Sequence, residues 1–252
     1  MQEGWYLEII GDCTDLVTII NEIKTNYFQC LKLDEHYFIT SSQFDQCKNP
    51  EDVLCKGEEI VKLINGIAEI NLKLNGKIKI LGITKIDETN KNKVINYRDN
   101  YLQCSCIVRT ELNDETKDEN SLNRWIELAQ QNENIKKVFK LLNYGLKSYV
   151  NMYRIYELIK RDLGNTYCND LDIDNDQIKR FTATANRPDA SGELARHGYM
   201  SGKPMKQKPM SLSEANAFIY EMIYKWIHYR LSNQEGAKGT VPVAGDTSDN
   251  SQ

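Results

Sequence analysis

The chain has 252 residues, 40% apolar and 27% charged, which suits one large domain or two small ones around a well-buried core. Its net charge is −4, no apolar run approaches the ~20 residues that span a bilayer, and Met1 to Trp5 lack the pattern of a signal peptide. The seven cysteines are odd in number and form no Cys-x-x-Cys pair, so a disulfide framework is not expected; reduced thiols in a cytoplasm are.

The first strand reads Trp5-Tyr6-Leu7-Glu8-Ile9-Ile10. A helix follows from Asp15 to Lys24, with Leu16, Ile19, Ile20 and Ile23 at helical spacing. Phe28–Leu33 and Tyr37–Ser42 read as strands joined by the turn Asp34-Glu35-His36. Asn49-Pro50-Glu51-Asp52 is a helix start: a capping side chain, a proline suited to the first position, and acids that complement the N-terminal dipole. Val53, Leu54, Gly57, Ile60, Val61, Ile64, Ile67, Ala68 and Leu72 then form one apolar face. Lys77–Ile86 is a partly alternating strand, Asp87–Asn92 a hairpin turn, and Lys93–Tyr97 and Tyr101–Leu112 complete an antiparallel meander.

The charged stretch 113–120 marks a boundary, and helical periodicity takes over beyond it. Trp125–Gln131, Ile135–Leu142 and Lys147–Leu163 are helices, the last stopped by Gly164. Ser211-Leu212-Ser213-Glu214 is a capping box, opening a helix to about Leu231 with a wide apolar stripe. From Ser232 onward almost nothing apolar remains. The expected fold class is α+β: a mixed α/β N-terminal domain (1–112) with a largely antiparallel sheet, an all-helical domain (121–231), and a disordered tail (232–252).

Familiar catalytic signatures are absent, including the Gly-rich phosphate loops and the Gly-x-Ser-x-Gly elbow. The alternating Asp170, Asp172, Asp174 and Asp176 suggest a calcium loop, but both registers fail. The sixth and twelfth positions hold Asn175 and Phe181, or Gln177 and Ala183, where glycine and glutamate belong. That stretch is read as a solvated loop capping the next helix. No cysteine or histidine spacing suggests zinc, so neither a metal nor a cofactor is expected. Of the three histidines, His36 sits in a predicted turn, His228 near a helix end, and His197 in the most informative segment.

That segment is the loop expected from Lys179 to Lys208. It holds Lys179, Arg180, Arg187, Arg196, Lys203, Lys206 and Lys208 against Asp189 and Glu193, a net +5 on a chain of net −4. A basic island on an acidic protein attracts anions, which makes these seven cations candidate nucleic-acid contacts. Asn186, Pro188, Ser191, Gly192 and Gly198 mark a tightly turned backbone. The competing reading is that Arg196 and His197 hydrogen-bond loop carbonyls and fix the path of the chain.

Around this loop the chain resembles an uncharacterised bacterial protein family with the pattern Thr-Ala-Asn-x-Pro-x-x-Ser-Gly-x-x-Ala-Arg-His. Here the pattern falls on Thr184, Ala185, Asn186, Pro188, Ser191, Gly192, Ala195, Arg196 and His197, followed by Met210, Ser211, Glu214, Ala215 and Trp226. A fainter likeness is to the helical HEPN superfamily of toxins and phage-defence proteins, through Ala195-Arg196-His197-Gly198. That resemblance implies an Arg and a His handling a scissile phosphate at a dimer interface, so Arg196 and His197 become candidate catalytic residues. Ser201 stands where the second histidine belongs, and a hydroxyl is no proton shuttle near neutral pH. An adjacent Arg–His pair on a helix would also point about 100° apart.

The leading expectation is therefore a non-catalytic or weakly catalytic component of a bacterial defence or mobile-element context, binding RNA or another polyanion through residues 179–208. The alternatives are a metal-independent HEPN-type ribonuclease using Arg196 and His197, and a protein-interaction module. A homo-oligomer is compatible with all three; a membrane partner is not expected.

Overall fold

A computed structural model describes residues 3–74, 76–86, 93–95, 121–199, 205 and 207–238. The first half carries β1 (Gly4–Ile10), α1 (Cys13–Glu22), β2 (Gln29–Leu33), β3 (His36–Thr40), α2 (Pro50–Asn71), β4 (Lys79–Ile86) and β5 (Lys93–Ile95). The strands form one antiparallel sheet in the order β2-β3-β1-β4-β5. Ile39, Leu7 and Ile83 lie opposite one another across its three central strands and are fully buried. The β2–β3 connection is tighter than expected: Asp34 takes a left-handed conformation (φ 51°), and His36 already belongs to β3. There its Nδ1 lies 2.6 Å from Glu8 Oε1. The strand expected at Tyr101–Leu112 and the boundary stretch 113–120 fall outside the described residues.

Asn49 caps α2 as expected, its side chain accepting from the Asp52 amide at 2.8 Å. The expected apolar face is buried except at Leu54 and Leu72, which are half-buried, and Leu63, Asn65, Gly66 and Ile70 are buried as well. A helix buried on more than one side is sandwiched, and α2 packs against both β4 and the helices that follow. A Cβ on Gly66 would lie 2.2 Å from the Phe139 carbonyl oxygen, so only glycine permits this approach.

The second half is helical: α3 (Ser121–Gln131), α4 (Glu133–Leu142), α5 (Tyr149–Leu163), the single turn α6 (Tyr167–Asp170), α7 (Asn175–Asn186), the single turn α8 (Pro188–Ser191) and α9 (Leu212–Lys238). The capping box forms: the Ser211 amide donates to Glu214 Oε2 at 2.7 Å and the Glu214 amide donates to Ser211 Oγ at 3.2 Å. α9 runs seven residues past Leu231, into the segment expected to be disordered; residues 239–252 lie outside the described part. One hydrophobic cluster joins Trp5 in β1 to Leu231 in α9, so sheet, α2 and helical layer share a continuous core.

Two polar clusters tie the layers together. The buried Asn65 side chain donates to the Ile78 carbonyl at 3.0 Å and accepts from the Ile78 amide at 2.9 Å, just ahead of β4. It also donates to Asn143 Oδ1 at 3.2 Å, at the end of α4. In the helical layer, Asp162 accepts from Asn132, Asn134, Trp226 Nε1 and Arg230 Nε at 2.8–3.2 Å. Burial alone would raise the Asp162 carboxyl, but these donors outweigh it and hold its pKa below the ordinary value.

Candidate functional site

Residues 179–208 are not one loop. α7 occupies the first eight of them, because Ile178, Phe181, Thr184 and Ala185 give it a buried face. Asp174 caps that helix, its side chain accepting from the Asp176 amide at 2.9 Å. The acidic stretch is thus a capping loop; among the described residues no group of three or more His, Cys, Asp or Glu could hold a metal ion.

After α7 the chain folds back on it twice. Arg187 ends the helix and Pro188 starts α8 at the first position. Ser191 Oγ donates to the Thr184 carbonyl at 2.8 Å and to the Arg187 carbonyl at 3.2 Å. Gly192 then adopts φ 61°, and the Arg196 amide returns to the Ala185 carbonyl at 2.7 Å. On the second return the buried Thr184 hydroxyl accepts from the Met210 amide at 3.0 Å, while Tyr149 donates to the Met210 carbonyl at 2.6 Å.

Most of the expected cations are engaged. Arg180 donates to the Lys208 carbonyl at 2.8 Å, the Pro209 carbonyl at 3.1 Å and Glu214 at 3.0 Å. The Ser211 amide and then Arg180 hold the Glu214 carboxyl down to about 2. Arg187 grips Asp189 with both forks, at 2.9 and 3.1 Å, and holds that carboxyl below its usual range. Lys179 is exposed and pairs with Asp176 at 2.9 Å. Lys208 is exposed on the second return; Lys203 and Lys206 lie outside the described residues.

Arg196 stacks its guanidinium 4.4 Å from the centre of the Tyr153 ring. It also donates to Glu157 at 3.3 Å and to Asn186 at 3.4 Å. His197 and Gly198 are exposed, beyond the fold-back. Arg196 and His197 sit in an irregular segment, not on a helix, so the 100° divergence expected of a helical pair does not apply here.

The sequence reading missed the other side of Arg196. Tyr153 and Glu157 belong to α5 and line an open groove of about 380 Å³ with Tyr156, Lys160, Arg161 and Asn165. Spacings of three and four along α5 place Tyr153, Tyr156, Glu157 and Lys160 on one side of the helix, a signal present in the sequence. Its juxtaposition with Arg196 depends on the fold-back after α7.

Compared with known proteins, the chain matches no family model, and neither a curated protein nor a solved structure matches it with significance.

Proposed function

We propose that the chain is a non-catalytic RNA-binding component of a cytoplasmic bacterial defence or mobile-element system, engaging RNA through the surface formed by residues 179–208. The observation that carries this reading is the concentration of charge: net +5 in thirty residues of a chain whose total is −4. Support comes from the double fold-back onto α7, which fixes this segment against the helical layer. Ser201 stands where the second histidine of a HEPN-type run belongs, which favours a binding role over a catalytic one.

The test is binding of single-stranded RNA across a salt series, alongside a metal-free RNA degradation assay. Salt-sensitive binding without degradation is the expected result. Degradation abolished by His197→Ala would establish the ribonuclease reading instead. Absence of binding at low salt ends the RNA reading and leaves the interaction module, which Tyr199 and Leu194 favour: they are 84% and 43% exposed on the same segment.

A further inference from the structure

We infer that the groove at the end of α5, between Tyr153 and Asn165, seats one or two phosphates of the bound RNA strand, with Lys160, Arg161 and Arg196 as its cationic rim. This rests on the RNA-binding reading above and moves its anchor off the segment that suggested it.

The cations near the groove differ in how free they are to meet a phosphate. A cation paired with a carboxylate must give up that partner to neutralise a phosphate, and it is phosphate neutralisation that releases the nucleic acid's condensed counterions. Lys179, Arg180 and Arg187 each hold a carboxylate at 2.9–3.0 Å. Lys160 and Arg161 hold none among the described residues; the Lys160 ammonium stands 5.8 Å from the centre of the Tyr167 ring. Both are exposed and line the groove. A concavity of about 380 Å³ falls in the range of small-ligand sites and is sized for a nucleotide unit, not for a duplex.

Arg196 completes the rim. Its bond to Glu157 is 3.3 Å, long for a charge-assisted pair, where 2.7–2.9 Å is usual. Glu157 is itself a groove residue, so a phosphate entering there competes directly for the guanidinium. The rim then carries three cations against one carboxylate. Tyr153 stays stacked beneath Arg196, holding the planar fork toward the groove while its partner changes. Two basic residues in the last turn of a helix also complement its dipole, so their presence alone proves nothing. Their lack of carboxylate partners and their place on a concave surface shared with Arg196 are what that role does not require.

The test uses the full chain and a fluorescent single-stranded oligouridylate, with anisotropy read at several salt concentrations. The double variant Lys160→Gln/Arg161→Gln is expected to bind roughly tenfold more weakly at low salt. Its salt slope is expected to flatten by about 1.4, for two fewer displaced counterions on a single strand. Lys62→Gln, on α2 and paired with Glu58 at 2.8 Å, is expected to match the parent. If the parent binds and the double variant matches it in affinity and slope, the groove assignment is overturned while the RNA reading stands. If the parent does not bind, both fall together. Should the double variant fold poorly, photo-crosslinking of the parent to 4-thiouridine RNA decides. Crosslinked peptides are expected to include residues 153–165; crosslinks confined to 203–208 overturn the assignment.

Discussion

Thr184 is fully buried, and its hydroxyl donates to the Arg180 carbonyl while accepting from the Met210 amide. Thr184→Val keeps the shape but leaves that amide without its acceptor, at a cost of about 1–3 kcal/mol. Urea denaturation measures it, and a cost near zero would mean the second return is not anchored there. Gly66 presents the opposite case, a missing side chain. Gly66→Ala pushes a methyl into the Phe139 carbonyl and should cost about 1–3 kcal/mol by overpacking. Asp162 links stability to pH. Its folded pKa lies below its unfolded one, so its contribution is complete above about pH 4 and is lost as pH falls through the folded value. Asp162→Asn should therefore be less stable than the parent at neutral pH, and the gap should close below pH 4. A gap independent of pH would show that the carboxylate charge is not what Asn132, Asn134, Trp226 and Arg230 require. Apart from the Arg180 carbonyl one turn before Thr184, none of these hydrogen-bond partners was legible in the sequence, because each pair is separated by 26 residues or more.

α9 was the most readable element, and its periodicity and capping box are both realised. Ala215, Ile219, Met222, Ile223, Trp226 and Ile227 are fully buried. Trp226→Ala should cost about 3–5 kcal/mol, from cavity formation together with the loss of its bond to Asp162. Far less would mean that the helical layer closes around the gap. α7 was the least readable. Its charges and the Asn-x-Pro that follows suggested loop, yet Ile178, Phe181 and Ala185 recur at helical spacing and are buried. Local charge outweighed periodicity in that reading, although periodicity reports burial and charge reports only the solvent side. Of the cations read as RNA contacts, Lys179, Arg180, Arg187 and Arg196 each have a carboxylate partner within 3.3 Å. Such pairing is invisible in composition, since Glu157 and Glu214 lie outside the segment.

At the scale of the molecule, a run of strands in the first half and helical periodicity in the second were enough to indicate α+β architecture. How its two halves meet was not, because it depends on α2 burying more than one face. With one cluster reaching from β1 to α9, heat or urea should unfold the chain in a single transition, with fluorescence and circular dichroism coincident. Two separated transitions would show that the sheet and the helical layer melt independently.

The Asn65 fork adds a consequence for strand alignment. Its amide supplies both hydrogen bonds that a neighbouring strand would give Ile78, from a helix that is already in place. A slide of β4 by one residue would turn Ile83 from the core toward the opposite face and leave the fork facing the wrong peptide. The same side chain holds Asn143, so the starting point of β4 is measured from the end of α4. The helical layer thereby acts as a ruler for the sheet.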